Sequence, residues 1–151
     1  MKQSRIVLGL FALVIAFSIS SCKDDDVTPS KTEILTSKSA WKITGSTSNG
    51  VDDFSTWSDC NKDDLLKFSK DGKLTVDEGS TKCDQDDDQT VTGTWVFQEG
   101  ETKLKFTFDG DDEIYTIDEL NTSSMKISYS YSDNINGVSF TIKNVITLTP
   151  Q

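Results

Sequence analysis

The chain contains no histidine, only two prolines and three cysteines, and no apolar run long enough to span a bilayer. Without imidazole there is no Ser-His-Asp or Cys-His nucleophile system, no histidine acid or base, and no zinc or iron site built on histidine ligands. Cations are scarce as well: 15 Lys and Arg stand against 25 Asp and Glu, a net charge of -10. Binding a polyanion depends on a lysine or arginine patch that releases counterions, so a nucleic-acid partner is excluded. The 151 residues suit one domain.

The longest apolar run, Ile6 to Phe17, follows Lys2 and Arg5 and precedes Ser18, Ser20 and Ser21. Cations, then a greasy segment, then small residues make a secretory signal, and the run falls short of the roughly 20 residues that a membrane-crossing helix needs. Ile19-Ser20-Ser21-Cys22 resembles the bacterial lipobox. The resemblance implies lipidation of the Cys22 sulfur and cleavage on its N-terminal side. At roughly 0.8 kcal/mol per buried methylene, two or three acyl chains hold a protein on a membrane. Using Cys22 this way leaves Cys60 and Cys83, an even number for a secreted chain. Lys23-Asp24-Asp25-Asp26 resembles the tag that sends some bacterial lipoproteins to the outer face of the outer membrane; it also reads as a solvated tether. The expected organisation is a signal peptide over 1–21, a lipidated cysteine and acidic tether over 22–30, and one domain over 31–151. The expected location is the cell envelope, on the outer membrane and surface-exposed.

Within the domain, Thr32 to Ser39 predicts one short helical turn capped by Thr32; elsewhere period-two alternation recurs and no helical period is sustained. Trp41, Ile43 and Gly45 share a face of the first strand. Leu66 and Phe68 lead to Asp71-Gly72, a hairpin signal because both residues tolerate positive φ, and Leu74 and Val76 return. Gly93, Trp95 and Phe97 follow, then Leu104, Phe106 and Phe108, then Tyr115 and Ile117. Met125, Ile127, Tyr129 and Tyr131 alternate with Lys126, Ser128, Ser130 and Ser132, and Val138, Phe140, Ile142, Ile146 and Leu148 share one parity of the last strand. Eight strands with one apolar face each predict an all-β, up-and-down eight-stranded barrel, which hides that face and removes both sheet edges. A two-sheet sandwich is the alternative.

An ordered set of features gives the chain its family likeness: Trp41 opening the first strand; Cys60-Asn61-Lys62-Asp63-Asp64 before Leu66-Lys67-Phe68; Lys70-Asp71-Gly72; Val76-Asp77-Glu78-Gly79 before Cys83; Thr92-Gly93-Thr94-Trp95; and Tyr115-Thr116-Ile117 to Glu119-Leu120. In this order, behind a lipobox, they resemble the lipocalin-like domain of bacterial lipoproteins over about Leu35 to Leu148. Ser39-Ala40-Trp41 departs from the lipocalin Gly-x-Trp entry. The resemblance implies a small β barrel and no settled activity.

Cys60 and Cys83 extend the open ends of the Asp71-Gly72 hairpin in a chain that leaves the reducing cytoplasm, so a disulfide is expected. A thiolate metal site would lack two ligands. Asp84, Asp86 and Asp88 alternate like a calcium loop, but Gln89 and Trp95 occupy the places of its glycine and glutamate; Asp109, Asp111 and Glu113 fail likewise. No metal, cofactor or catalytic residue is assigned, because no pair among the carboxylates is distinguished, and Asp77, Glu78, Asp118 and Glu119 read as surface groups at strand ends. Phe54 and Trp57 stand out in the polar stretch Asn49 to Asp59, either plugging a barrel end or lining its mouth. The interior rings, Trp41, Phe68, Trp95, Phe97, Phe106, Phe108, Tyr129 and Phe140, favour a filled core with any pocket shallow and at one end. The expected function is non-catalytic binding of a small apolar, amphipathic or glycan ligand by Phe54, Trp57, Trp95 and Tyr129, on a monomer. The alternative is a surface-exposed structural or protein-interaction lipoprotein without a small-molecule ligand.

Overall fold

A computed structural model describes residues 28–151. The signal peptide, the lipidation of Cys22 and most of the expected tether lie outside the described residues. Nine strands form one antiparallel sheet: β1 (Trp41–Ser48), β2 (Val51–Asp52), β3 (Leu65–Phe68), β4 (Lys73–Asp77), β5 (Thr90–Gln98), β6 (Lys103–Phe108), β7 (Asp111–Leu120), β8 (Met125–Ile135) and β9 (Val138–Pro150). Eight of them close into a barrel because β1 pairs with β3 on one side and β9 on the other, and the sandwich alternative falls. The ninth, β2, only folds back on the end of β1.

The turns follow from backbone chirality. Asn49-Gly50, Asp109-Gly110 and Asn136-Gly137 hold positive φ at both residues, the geometry whose twist suits two-residue hairpins. Asp71-Gly72 does not: only Gly72 is positive, at φ 84, and Ser69 N donates to Lys73 O while Gly72 N donates to Ser69 O. The loop is therefore Lys70-Asp71-Gly72, with the glycine supplying the left-handed residue. Ser39 is not among the positive-φ residues, so its side chain meets no backbone obstacle where the lipocalin pattern has glycine.

One end of the barrel is closed. Helix α1 (Lys31–Thr36) is capped by Ser30 rather than Thr32: the Ser30 hydroxyl accepts from Glu33 N while the Glu33 carboxylate accepts from Ser30 N, the reciprocal arrangement of a capping box. Its Ile34 and Leu35 join the core, and Trp41 Nε1 donates to Leu35 O at 2.9 Å. Above this plug Phe68, Leu104 and Met125 pack as a solid floor.

Two departures from simple alternation shape the other end. Between Ile43 and Gly45 the register of β1 against β9 shifts, so Gly45 leaves the inner face and Ser46 takes it, 4% exposed. Strands β8 and β9 stay paired from Met125↔Leu148 out to Ile135↔Val138, whereas β7 pairs with β8 only as far as Thr116↔Ser128. The β8–β9 hairpin thus peels away from the barrel as a ribbon. Tyr129 and Phe140, expected inside, lie on that ribbon at 39% and 48% exposure.

The Cys60–Cys83 disulfide is present, with the Cα atoms 5.1 Å apart. Cys60 sits in the single-turn helix α2 (Asp59–Lys62). The Asp63 carboxylate reinforces the same junction, accepting from Ser80 N, Ser80 Oγ and Thr81 N.

Candidate binding site at the open end of the barrel

Above the floor the inward side chains leave a chamber of about 130 Å³. Leu66, Leu74 and Leu148 form its base; Ile43, Val76, Phe108 and Ile146 form its wall. Phe106 and Tyr115 complete it, with ring centroids 5.2 Å apart. Glu113 stands at the rim, lining both the chamber and an outer cleft of about 280 Å³ shared with Ile114, Tyr115, Tyr129 and Ser130. The core is thus filled at the plugged end and hollow near the mouth.

Glu113 reaches this position through register. It lies opposite Phe106 on β7, two residues before Tyr115, which lies opposite Leu104, so both side chains take the inward face. The Tyr115 hydroxyl donates to Glu113 Oε2 at 2.9 Å. Burial, with the Glu113 carboxylate beside it, pushes the Tyr115 phenol above its ordinary value, and the hydroxyl stays a donor. Tyr129 meets Tyr115 edge-on at 5.7 Å and stacks with Tyr131 at 6.5 Å, so a line of rings runs from the chamber onto the ribbon.

The expected ligand-lining residues divide. Tyr129 borders the outer cleft. Trp95 is 7% exposed, its Nε1 donates to Ser69 O, and it stands near the closed end beside Phe97 in a separate surface hollow with Lys70 and Gly72. Phe54 and Trp57 pack on each other at 5.6 Å in a short 3-10 turn, Phe54–Thr56, and do not line the chamber. The polar stretch that carries them also contains β2 and contacts β1. Glu113, expected only as part of an acidic turn, takes a place at the site instead, and the inward faces expected for Ile43, Val76, Phe108 and Ile146 supply its wall; the acid's shared parity with Tyr115 and Ile117 is the signal for it.

The two carboxylates shifted furthest, Asp64 and Asp77, do not line the chamber. Burial, followed by repulsion from Glu78, Asp63 and Asp77, raises Asp64 to about 6. Hydrogen bonds from Lys67 and then Gln89 lower Asp77 to about 2. The Lys67–Asp77 pair closes at 2.7 Å across the outer faces of β3 and β4.

A family model for the lipocalin-like domain matches residues 39–127, from the entry of β1 to the inward Ile127 of β8. The chain belongs to the lipocalin-like domain family. The match takes in most of the chamber wall, from Ile43 to Ile127, and the Cys60–Cys83 clip. Beyond it lie Tyr129, the ribbon and β9. No curated protein matches this lipocalin-like chain.

Proposed function

We propose that the chain is a lipid-anchored cell-envelope protein that binds a small apolar or amphipathic ligand, without catalysis, in the chamber at the open end of its barrel. The chamber carries this reading. Its base and wall are aliphatic and aromatic, it opens past polar groups at one rim, and burial of a ligand's apolar surface there is worth roughly 25 cal/mol per Å².

Anchoring at Cys22 accords with the polarity of the barrel. The chain enters through Ser30 at the plugged end, and the ribbon projects from the opposite end. A tether from Cys22 to Ser30 spans at most roughly 30 Å when fully extended. The plug then faces the membrane and the mouth faces away, on the cell surface if the acidic segment after Cys22 acts as an export tag. The test is twofold. Fatty-acid labelling of the expressed chain should be abolished by Cys22→Ser. Native mass spectrometry of the full chain should detect small-molecule adducts that Val76→Phe, which fills the chamber, removes; adducts indifferent to that substitution would refute the chamber as their site.

The exposed apolar face of the ribbon, with Tyr131, Val138 and Phe140, favours protein interaction as the second reading. Surface crosslinking lost on replacing Val138 and Phe140, with the melting temperature of the barrel retained, would support it.

A further inference from the structure

We propose that the open-end site selects an organic cation: an ammonium group carrying an apolar body about the size of one phenyl ring. The inference rests on the chamber being a ligand site and adds the chemical class of the ligand. The size follows from the space. An apolar cavity of about 150 Å³ accommodates benzene, and the chamber measures about 130 Å³ with an open rim.

The charge follows from what stands at that rim. Among the described residues Glu113 is the one carboxylate lining the chamber, and the hydrogen bond from Tyr115 leaves it acceptor capacity. The rings of Tyr115, Tyr129 and Tyr131 continue outward from it. A carboxylate beside aromatic faces recognises an ammonium twice over, by ion pairing and by attraction to the ring quadrupoles.

The register removes the opposite sign. Asp111 opposite Phe108, Glu113 opposite Phe106 and Asp133 opposite Phe140 are the inward-register charged positions of β6 to β9 near the mouth. The lysines of these strands take the outward register, where Lys103, Lys105, Lys126 and Lys143 pair with Glu99, Asp112, Glu119 and Asp118. An anionic ligand entering the chamber meets Glu113 with no cation on the lining; Lys103 and Lys143 share an adjoining cleft with Tyr129 and Ser130, on the outward side, and are paired there with Glu99 and Asp118. A neutral one leaves Glu113 unused.

Phenethylamine, 2-phenylethanol and 3-phenylpropanoate share one body and differ in charge, and calorimetry against the full chain in phosphatidylcholine nanodiscs, with empty discs subtracted, separates the possibilities. The amine should bind about tenfold or more tighter than the alcohol, and the acid weakest. Glu113→Gln should bring the amine to the alcohol's affinity and leave the alcohol unchanged. In the unaltered chain, raising salt from about 20 to about 500 mM should weaken the amine and not the alcohol. Equal binding of amine and alcohol, tighter binding of the acid, or an amine affinity indifferent to both Glu113→Gln and salt would overturn the inference. If the alcohol then still binds and Val76→Phe abolishes it, the chamber remains a ligand site for neutral molecules. If none of the three binds, the chamber reading fails together with the cation.

Discussion

The ring of Phe108 lies against the backbone of Gly93: a Cβ on that glycine would stand 2.5 Å from the ring's Cδ1 and 2.4 Å from the carbonyl oxygen of Thr107. The absent side chain is therefore what lets Phe108 fold down over β5 and form part of the chamber wall. Gly93→Ala should push the ring inward and cost about 2 kcal/mol, the usual penalty for overpacking. Urea denaturation gives the cost, and ligand titration should show a smaller chamber; a neutral substitution would mean the ring moves without resistance.

Trp41 anchors the plug through its bond to Leu35 O, and it is fully buried. Trp41→Phe keeps most of the ring but strands that carbonyl, so a loss of about 2 to 3 kcal/mol is expected from the unpaired acceptor and the lost volume together. Thermal melting followed by the remaining tryptophans measures it.

The Cys60–Cys83 bond closes a loop spanning 23 positions around the β3–β4 hairpin. Replacing both cysteines with alanine should remove about 3 kcal/mol, on the entropic account of cross-links. Equilibrium unfolding under oxidising conditions compares the two proteins, and a reductant should act on the native chain alone.

Asp64 and Asp77 pull stability in opposite directions as pH changes. Asp64, raised to about 6, carries an unfavourable charge above that value, so stability rises as pH falls through 6 toward 4. Asp77, lowered to about 2, contributes stability above the ordinary carboxylate range that is lost as pH falls from about 4 through 2. Asp64→Asn should stabilise the protein at pH 7 by about 1 kcal/mol, after allowance for solvent screening, and become neutral near pH 4. Asp77→Asn should destabilise it by about 1 kcal/mol at pH 7 and match the parent near pH 2. Melting temperatures across pH 2 to 8 test both signs.

Alternation alone carried the eight barrel strands, because a side chain in a pleated strand must choose between core and solvent. It carried less where pairing stops being regular. The bulge after Ile43 transfers the inner face from Gly45 to Ser46, and nothing in the order Ile43-Thr44-Gly45-Ser46 marks it. Tyr129 and Phe140 obey the inward parity yet lie outside, since parity says which face a residue takes and not where the barrel ends. The ribbon's own turn, Asn136-Gly137, was a strong signal in plain sight, as was Asn49-Gly50. The site was legible only in part: Tyr129 borders it, while Glu113 and Tyr115 depend on which strand lies opposite. The disulfide was legible because hairpin geometry brings its two ends together.

The pairing of Trp41 with Pro150, and of Ile43 with Leu148, makes the first strand's principal neighbour the last one synthesised. On its other flank β1 meets β3 only at Trp41↔Leu66 and Lys42↔Leu65. A growing chain can assemble its successive hairpins, but it cannot complete the cylinder until β9 has emerged, and contacts this distant in sequence are slow to form. The indole of Trp41 stays without its final neighbours until β9 docks, and a chain truncated before β9 should be captured by holdase chaperones and cut readily by proteases.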